Sequence, residues 1–180
     1  MLGLIPISAT GELFSKFDLQ WGYKNLRIKE EDQYKAALKT TFGAYIPKVI
    51  YFGLTNAPPT FQQVIHQDLQ PVLQKYPWNV GNYLDDIWVV TKWKEEGRAL
   101  HKKVMHELLE LLEAKSCFLK LSKSQFETKD MDLLGWCVGN GEIRIDPNKI
   151  AGIKDWPWNL KNMKQVHSIL GLLGYQRPFI

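Results

Sequence analysis

Two adjacent carboxylates limit the possible structure and chemistry of this chain more than any other feature of its sequence. Asp85 and Asp86 stand between two β-like runs, Asn79–Asn82 and Ile87–Thr91, so we place them at the tip of a hairpin. Adjacent carboxylates repel each other, and burying them unpaired costs free energy. A divalent cation relieves both problems, because Mg²⁺ prefers carboxylate oxygens as ligands. An ordinary polar turn is the alternative, and this short motif alone leaves both interpretations open.

Two earlier segments favour the metal-binding interpretation. Phe14–Tyr23 ends a β-like run with one acid, Asp18, followed by a glycine and an aromatic residue. Phe52–Pro58 has the sequence Phe-Gly-Leu-Thr-Asn-Ala-Pro and leads into a predicted helix. Together with the Tyr-Leu-Asp-Asp stretch, and in this order, these segments resemble the palm of reverse transcriptases from gypsy-type long-terminal-repeat retrotransposons.

The resemblance continues to the end of the chain. Leu133-Leu134-Gly135 is similar to the primer-grip segment of that family. Three further landmarks follow in family order, at Ile145–Ile150, Asp155–Pro157 and Leu170–Ile180. The chain therefore resembles the reverse transcriptase domain of a gypsy-type Pol polyprotein, fungal-like and truncated at both ends. The family's fingers would precede this sequence, and its RNase H and integrase regions would follow.

The predicted elements indicate an α+β fold, because hairpins alternate with packed helices rather than with parallel strands. The resemblance implies a right-hand polymerase palm, an antiparallel sheet with packed helices, plus the start of a helical thumb, with most of the fingers missing. It assigns residues 1–138 to the palm with partial fingers and residues 139–180 to the thumb.

Hydrophobic periodicity and turn residues predict the following elements. Apart from the Asp-Asp hairpin, the predicted strands are Leu13–Asp18, Ala36–Thr40, Lys48–Phe52, Leu133–Val138 and Glu142–Asp146. The predicted helices are Asn56 to about Leu69, capped by Asn56 and ended by Pro71, then Lys94–Lys115, Pro147–Trp156 and Met163–Leu173.

The resemblance implies nucleotidyl transfer by two metal ions. In that chemistry a primer 3′-hydroxyl attacks an α-phosphate, and two Mg²⁺ ions, or Mn²⁺ in their place, activate the attacking oxygen and stabilise the leaving pyrophosphate. Asp18, Asp85 and Asp86 match the metal-binding and catalytic carboxylates of the family, and the backbone carbonyl of Leu19 matches a fourth ligand. For Asp18 alone, an ordinary acid at a strand end is the alternative.

Three residues match nucleotide-binding positions of the family. The ring of Tyr23 would lie under the incoming sugar and exclude a 2′-hydroxyl, whereas the alternative is a core aromatic residue. Phe52 would pack near the sugar, and Gln62 would approach the nucleotide or template. For both of these, a packing position on a helix or strand is equally open.

The resemblance assigns primer binding to Leu134, Gly135 and Trp136. A glycine there permits close approach of the backbone, although an ordinary strand with a bulge is the alternative. Four lysines at or after the end of the predicted helix Lys94–Lys115 are candidates for phosphate contacts or ordinary solvated residues. They are Lys115, Lys120, Lys123 and Lys129.

Composition narrows the function less than the motifs do. The net charge of +4 suits a nucleic-acid partner, though many ordinary proteins are as basic. Cys117 and Cys137 form no close pair, which argues against a zinc site or a disulfide framework. His101 and His106 lie five residues apart on a predicted helix, hence on different faces, and we predict both to be solvated. The sequence shows no secretory signal and no apolar run of roughly 20 residues.

The expected partners are an RNA or DNA template with its primer, deoxynucleoside triphosphates, and the fingers, RNase H and integrase regions of an intact polyprotein, with no membrane. We expect an intracellular location, in a cytoplasmic particle or the nucleus. Without the basic fingers that clamp the triphosphate, these 180 residues should bind primer–template weakly and polymerise poorly. The alternative function is a decayed or repurposed retroelement fragment that binds nucleic acid without catalysis.

Overall fold

The computed structural model describes residues 11–20, 22–154, 156 and 159–177. Asp155 and Pro157 of the predicted break, and residues 178–180 of the family-like ending, lie outside these ranges. The described residues form sheets and helices in mixed order, which confirms the predicted α+β class.

A four-stranded antiparallel sheet is the centre of the fold. Its strands are β1 (Leu13–Asp18), β4 (Val80–Tyr83), β5 (Asp86–Thr91) and β6 (Gln125–Thr128), in the order β4-β5-β1-β6. The sequence predicts the first three within one residue at each end. It does not predict β6, a partly exposed edge strand without apolar alternation.

Two long helices cover one face of this sheet, α1 (Ala57–Lys75) and α2 (Glu95–Ala114). Side chains that point to this face from β1 and β5 include Phe17, Ile87 and Val89, all fully buried. They form one hydrophobic core with residues of both helices, among them Phe61, Ile65, Val104 and Leu108. Burial of this apolar stripe fixes both helices against the sheet.

Helix α1 runs through Pro71, so the predicted end near Leu69 is wrong. A proline inside a helix removes one backbone hydrogen bond, here to the carbonyl of Gln67. Gln67 and Pro71 are both exposed, so water can satisfy that carbonyl. Leu69 and Val72 are buried on the opposite side, and their packing holds the last turn. Asn56 precedes the helix, but its side chain makes no capping hydrogen bond.

A second, three-stranded sheet packs on the other face. It consists of β7 (Asp130–Leu133), β8 (Trp136–Gly139) and β9 (Glu142–Ile145), in the order β7-β8-β9. The β8–β9 turn at Asn140-Gly141 is the predicted hairpin, with positive φ at both residues. The β7–β8 turn was not predicted, and it divides the predicted strand Leu133–Val138. The two sheets share a core that includes Phe14, Trp88, Val90, Met131 and Val138.

The remaining described elements are smaller. The β2–β3 ribbon (Leu38–Thr40 and Gly43–Tyr45) consists of exposed residues, and helices α3 (Pro147–Lys154) and α4 (Met163–Tyr175) are the last two helices described. The predicted strand Lys48–Phe52 is absent. That segment makes only an isolated bridge between Val49 and Arg27, because its backbone pairs with an irregular loop. In the described part of the chain, we find no helix with the length and apolar character needed to span a membrane.

Candidate active site

Two predicted carboxylates lie directly opposite each other in the central sheet. Asp18 ends β1, Asp86 begins β5, and the two are paired in the antiparallel register. The flanking hydrogen bond runs from Leu19 N to Asp85 O at 3.0 Å, which makes this a pair of the closely spaced, non-hydrogen-bonded type. Paired residues share a face of the sheet. Asp18 and Asp86 therefore lie at the end of the face that β7–β9 cover.

Asp85 occupies the turn between β4 and β5. The residue before it, Leu84, has a φ of 52°, a left-handed conformation that is uncommon outside glycine. Gln62 on α1 supports this turn, because its side-chain oxygen accepts a hydrogen bond from the Leu84 N–H. Sequence reasoning assigned Gln62 to the nucleotide or template. The structure gives it a contact with the backbone of the turn, and its role toward nucleotide stays a prediction.

Asp18 and Asp85 open into one cavity of about 510 Å³. Its lining comprises Asp18, Leu19, Gln20, Gly22, Tyr23, Lys24, Phe52, Phe61, Leu84, Asp85, Lys120 and Lys123. The cavity thus brings together predicted residues from four separate segments. Asp86 is not part of the lining, and its carboxylate is bound to Lys16, with Nζ 3.0 Å from Oδ2.

The carboxylates interact electrostatically. Burial raises the pKa of Asp86 above its ordinary value, and the charges of Asp85 and Asp18 raise it further, whereas the hydrogen bond and charge of Lys16 lower it. Lys123 lies near Asp18, with Nζ 3.6 Å from Oδ2. This is a set of hard oxygen donors with mutual repulsion, which suits a divalent cation chemically. Within the described ranges, however, no group of three or more His, Cys, Asp or Glu side chains is arranged to hold a metal ion.

An aromatic surface forms another side of the cavity. The ring of Tyr23 lies 4.9 Å from Phe52 and 4.8 Å from Phe61, measured between centroids. The neighbouring position 22 requires a glycine, because a Cβ there would stand 2.5 Å from the Phe61 ring. Burial and the charge of Asp85 raise the pKa of the Tyr23 hydroxyl. Phe52 is 83% exposed, so its ring is open to a ligand rather than part of the core.

Of the predicted primer-grip residues, Leu134 and Gly135 form the β7–β8 turn and Trp136 begins β8. Leu134 and Gly135 have φ values of 51° and 78°, which is typical of a tight hairpin turn. The carbonyl of Gly135 accepts a hydrogen bond from Lys149 Nζ at 3.0 Å, which ties the turn to helix α3. Trp136 is only 5% exposed and belongs to the core between the sheets. Its ring packs in the core next to the turn.

His101 contradicts the sequence prediction of a solvated residue. It is fully buried, with Nε2 2.8 Å from Ser15 Oγ and Nδ1 3.0 Å from Thr91 Oγ1. Burial lowers the pKa of its ring. The signal was present in the sequence, because His101 stands three and seven residues before Val104 and Leu108 on the buried stripe of α2. His106 is exposed, as predicted.

The four candidate phosphate-binding lysines separate into two groups. Lys120 and Lys123 line the cavity with Asp18 and Asp85. Lys115 instead pairs with Asp68 at 2.8 Å, and Lys129 lies over the ring of Trp93, 5.2 Å from its centroid. Only the first pair is placed to meet a ligand in this cavity.

Solved structures of the same fold come from foamy virus. The foamy viral protease–reverse transcriptase in complex with an RNA/DNA hybrid matches 96% of this chain with a TM-score of 0.79 and 20% identity, over 23% of that chain. A form of that protein in complex with double-stranded DNA matches 98% of this chain with a TM-score of 0.80 and 21% identity, over 29% of its own chain. These likenesses show that the fold is that of a polymerase palm fragment.

The sequence relatives are polyproteins of transposons and of a virus. The chain is 32% identical over 169 residues to the retrovirus-related Pol polyprotein from transposon 297 of Drosophila melanogaster, covering 94% of this chain and 15% of that protein. It is 30% identical over 177 residues to a putative enzymatic polyprotein of Cassava vein mosaic virus, covering 98% of this chain and 26% of that protein.

A third relative is a transposon Tf2-3 polyprotein of Schizosaccharomyces pombe (strain 972 / ATCC 24843), 26% identical over 93% of this chain and 12% of that protein. The chain therefore spans about a quarter or less of the length of these relatives. The family model for "Reverse transcriptase (RNA-dependent DNA polymerase)" matches residues 5–138. By this match over most of its length, the chain belongs to the reverse transcriptase family.

Proposed function

We propose that this chain is the palm and early thumb of an RNA-directed DNA polymerase encoded by a gypsy-type, fungal-like retrotransposon, which adds deoxynucleotides to a primer 3′-hydroxyl. Residues 1–138 would be palm with partial fingers, and residues 139–180 thumb. The observation that carries the proposal is the pairing of Asp18 with Asp86 across β1 and β5, with Asp85 in the adjoining turn. A sheet end of this kind gathers carboxylates that are far apart in sequence.

Asp18, Asp85, Asp86 and the carbonyl of Leu19 would hold two Mg²⁺ ions, or Mn²⁺. When bound, such ions activate the attacking oxygen and stabilise the leaving pyrophosphate. Asp18 and Asp85 already face the cavity where the reacting groups would meet. Asp86, paired with Asp18 across β1 and β5, would be the third carboxylate.

The other side chains would orient the nucleotide. The exposed ring of Phe52 and the half-buried ring of Tyr23 would lie against the sugar, and Tyr23 would exclude a 2′-hydroxyl by its volume. Lys120 and Lys123 supply two positive charges in the same cavity, which suits a triphosphate. Gln62 would act on the nucleotide through the turn that it supports.

The template and primer would lie at the end of the sheet that carries the carboxylates. Leu134 and Gly135 of the β7–β8 turn, together with Trp136 at the start of β8, would hold the primer end. Solved relatives of this fold were obtained with an RNA/DNA hybrid and with double-stranded DNA, which supports a primer–template partner. The fingers, RNase H and integrase regions of a longer polyprotein would be further partners.

Primer extension tests this function. The chain is compared, alone and fused to the segment that precedes the matching region in the transposon 297 polyprotein, on an RNA template with Mg²⁺ or Mn²⁺. We expect deoxynucleotide incorporation by the fusion, its loss in Asp85→Asn, and little incorporation by the chain alone. A fusion that binds primer–template with salt-sensitive affinity but incorporates nothing would refute the proposal and favour nucleic-acid binding without catalysis.

A further inference from the structure

Lys16 makes two contacts that the proposed roles do not explain. It precedes Asp18 by two residues on β1, so both side chains lie on the same face of the sheet. Its Nζ stands 3.0 Å from Asp86 Oδ2 and donates a hydrogen bond to the backbone carbonyl of Asp132 at 2.9 Å. The side chains of Lys16 and Asp86 are only 17% and 18% exposed. Lys16 is therefore not a solvated surface lysine.

This geometry links three elements through one ammonium group. Exposed ion pairs are weak because water screens them and both side chains lose freedom. The Lys16 pair is mostly screened from water, and a second acceptor on β7 fixes the ammonium group in place. A carboxylate on β5, a lysine on β1 and a backbone carbonyl on β7 are thus held together.

The β7 end of this link reaches the primer grip. Asp132 lies two residues before Leu134 in the β7–β8 hairpin, and the Gly135 carbonyl on the other side of the turn accepts a hydrogen bond from Lys149. The hairpin is therefore held from two sides, by Lys16 at the carboxylates and by Lys149 on α3. A shift of the Lys16 ammonium group would therefore change its contacts with both Asp86 and the hairpin.

We propose that Lys16 is a positioning residue that couples the Asp86 carboxylate to the primer-grip hairpin, its ammonium group standing where a divalent cation competes for Asp86. The inference rests on the proposed polymerase function, and it adds a cation that none of the roles above includes. Competition follows from charge, because one carboxylate cannot fully satisfy an ammonium group and a metal ion at once. Metal loading at Asp86 and the fixing of the hairpin are then reciprocally linked.

The experiment compares wild-type protein with Lys16→Met, which keeps the aliphatic stem and removes the charge. The first readout is thermal unfolding during a Mn²⁺ titration, and the second is backbone hydrogen exchange of residues 130–139. We expect Lys16→Met to bind Mn²⁺ about 10-fold more tightly, the factor that corresponds to 1.4 kcal/mol. We also expect about 10-fold faster exchange in the hairpin, since an opening that costs less free energy occurs more often.

Lys123→Met is the matched control. It removes the same charge from the same site, but its side chain is 59% exposed and stands 3.6 Å from Asp18 Oδ2. It should tighten Mn²⁺ binding less and leave exchange of residues 130–139 unchanged. Lys16→Arg, which retains the charge, should restore wild-type behaviour in both readouts.

The two proposals fail in different ways. If wild-type protein is stabilised by Mn²⁺ but Lys16→Met shows the same affinity or the same hairpin exchange, the role of Lys16 is refuted and the polymerase function stands. If Mn²⁺ stabilises neither wild type nor Lys16→Met, the metal site of the proposed function fails, and so does the competition at Asp86. Should Lys16→Met not fold, Lys16→Gln replaces it in the Mn²⁺ titration alone, because an amide removes the charge but keeps a donor for the Asp132 carbonyl; an unchanged Mn²⁺ affinity would then refute the role of Lys16.

Discussion

The side-chain oxygen of Gln62 accepts a hydrogen bond from the backbone N–H of Leu84, across 22 residues of sequence. Leu84 has a left-handed backbone conformation, with φ of 52°, and precedes Asp85. Helix α1 thus holds the turn that presents a candidate catalytic carboxylate. The packing of α1 against the sheet through Phe61 and Ile65 makes this support rigid.

Gln62→Ala should therefore impair catalysis through the turn. We expect a loss of about 1 kcal/mol in the free energy of unfolding, the usual cost of one hydrogen bond. In the extension-competent fusion, we expect kcat to fall by about 10-fold or more, because small displacements of reacting groups are costly. Primer extension and urea unfolding measure the two effects. Gln63→Ala, at the exposed neighbouring position, is the control, and an equal loss of kcat in it would contradict this role of Gln62.

Tyr23→Ala should admit ribonucleotides. The ring lies against Phe52 and Phe61 in the cavity that also contains Asp18 and Asp85, and removing it creates room for a 2′-hydroxyl. We expect the ratio of ribonucleotide to deoxynucleotide incorporation to rise by about 10-fold or more, or 1.4 kcal/mol of discrimination. Tyr45→Ala, on the exposed β2–β3 ribbon, should leave the ratio unchanged. An unchanged ratio in Tyr23→Ala as well would show that Tyr23 is a packing residue.

Lys120→Ala and Lys123→Ala should each weaken nucleotide binding. Both ammonium groups line the cavity with the carboxylates, so their loss removes charge that would attract a triphosphate. We expect KM for deoxynucleotides to rise by about 3- to 10-fold in each, with a weaker dependence on salt. Lys115→Ala provides the comparison, since Lys115 pairs with Asp68 outside the cavity. A similar rise of KM in all three variants would indicate a general effect of net charge.

His101 should make the stability of the fold depend on pH. Burial lowers the pKa of its ring below the ordinary value of 6.5, so the folded state holds the ring neutral where the unfolded state takes up a proton. The contribution of this ring to the free energy of unfolding is therefore complete above pH 6.5. It is lost as the pH falls from 6.5 toward the folded-state pKa. Urea unfolding between pH 5 and about 8 should show this decline.

His101→Gln should remove that part of the pH dependence. It should also cost about 1–3 kcal/mol at neutral pH, because Ser15 and Thr91 lose well-placed partners in the core. His106→Gln, which alters an exposed histidine beside Glu110, should retain the wild-type profile. A decline of the same slope in His101→Gln would assign the pH dependence to other groups.

Local sequence determined much of this fold. The apolar stripe of α2 specified a helix within one residue at each end, since Leu108 and its neighbours recur at helical spacing. Runs of β-branched and aromatic residues specified β1 and β5, and Asn140-Gly141 specified the β8–β9 turn, because few residues adopt its backbone conformation. The Asp-Asp motif and the single acid at the end of β1 marked the candidate site before any contact was known.

Only the tertiary structure decided how these pieces meet. Pro71 continues a helix because its exposed side can be solvated while Leu69 and Val72 are buried. His101 has Ser15 and Thr91 as hydrogen-bond partners because the central sheet packs against α2. Lys16 binds Asp86 and the Asp132 carbonyl because antiparallel pairing and the packing of a second sheet bring residues 16, 86 and 132 to one place. Side-chain spacing along the chain does not specify these partners, since their geometry arises only when the sheets and helices pack.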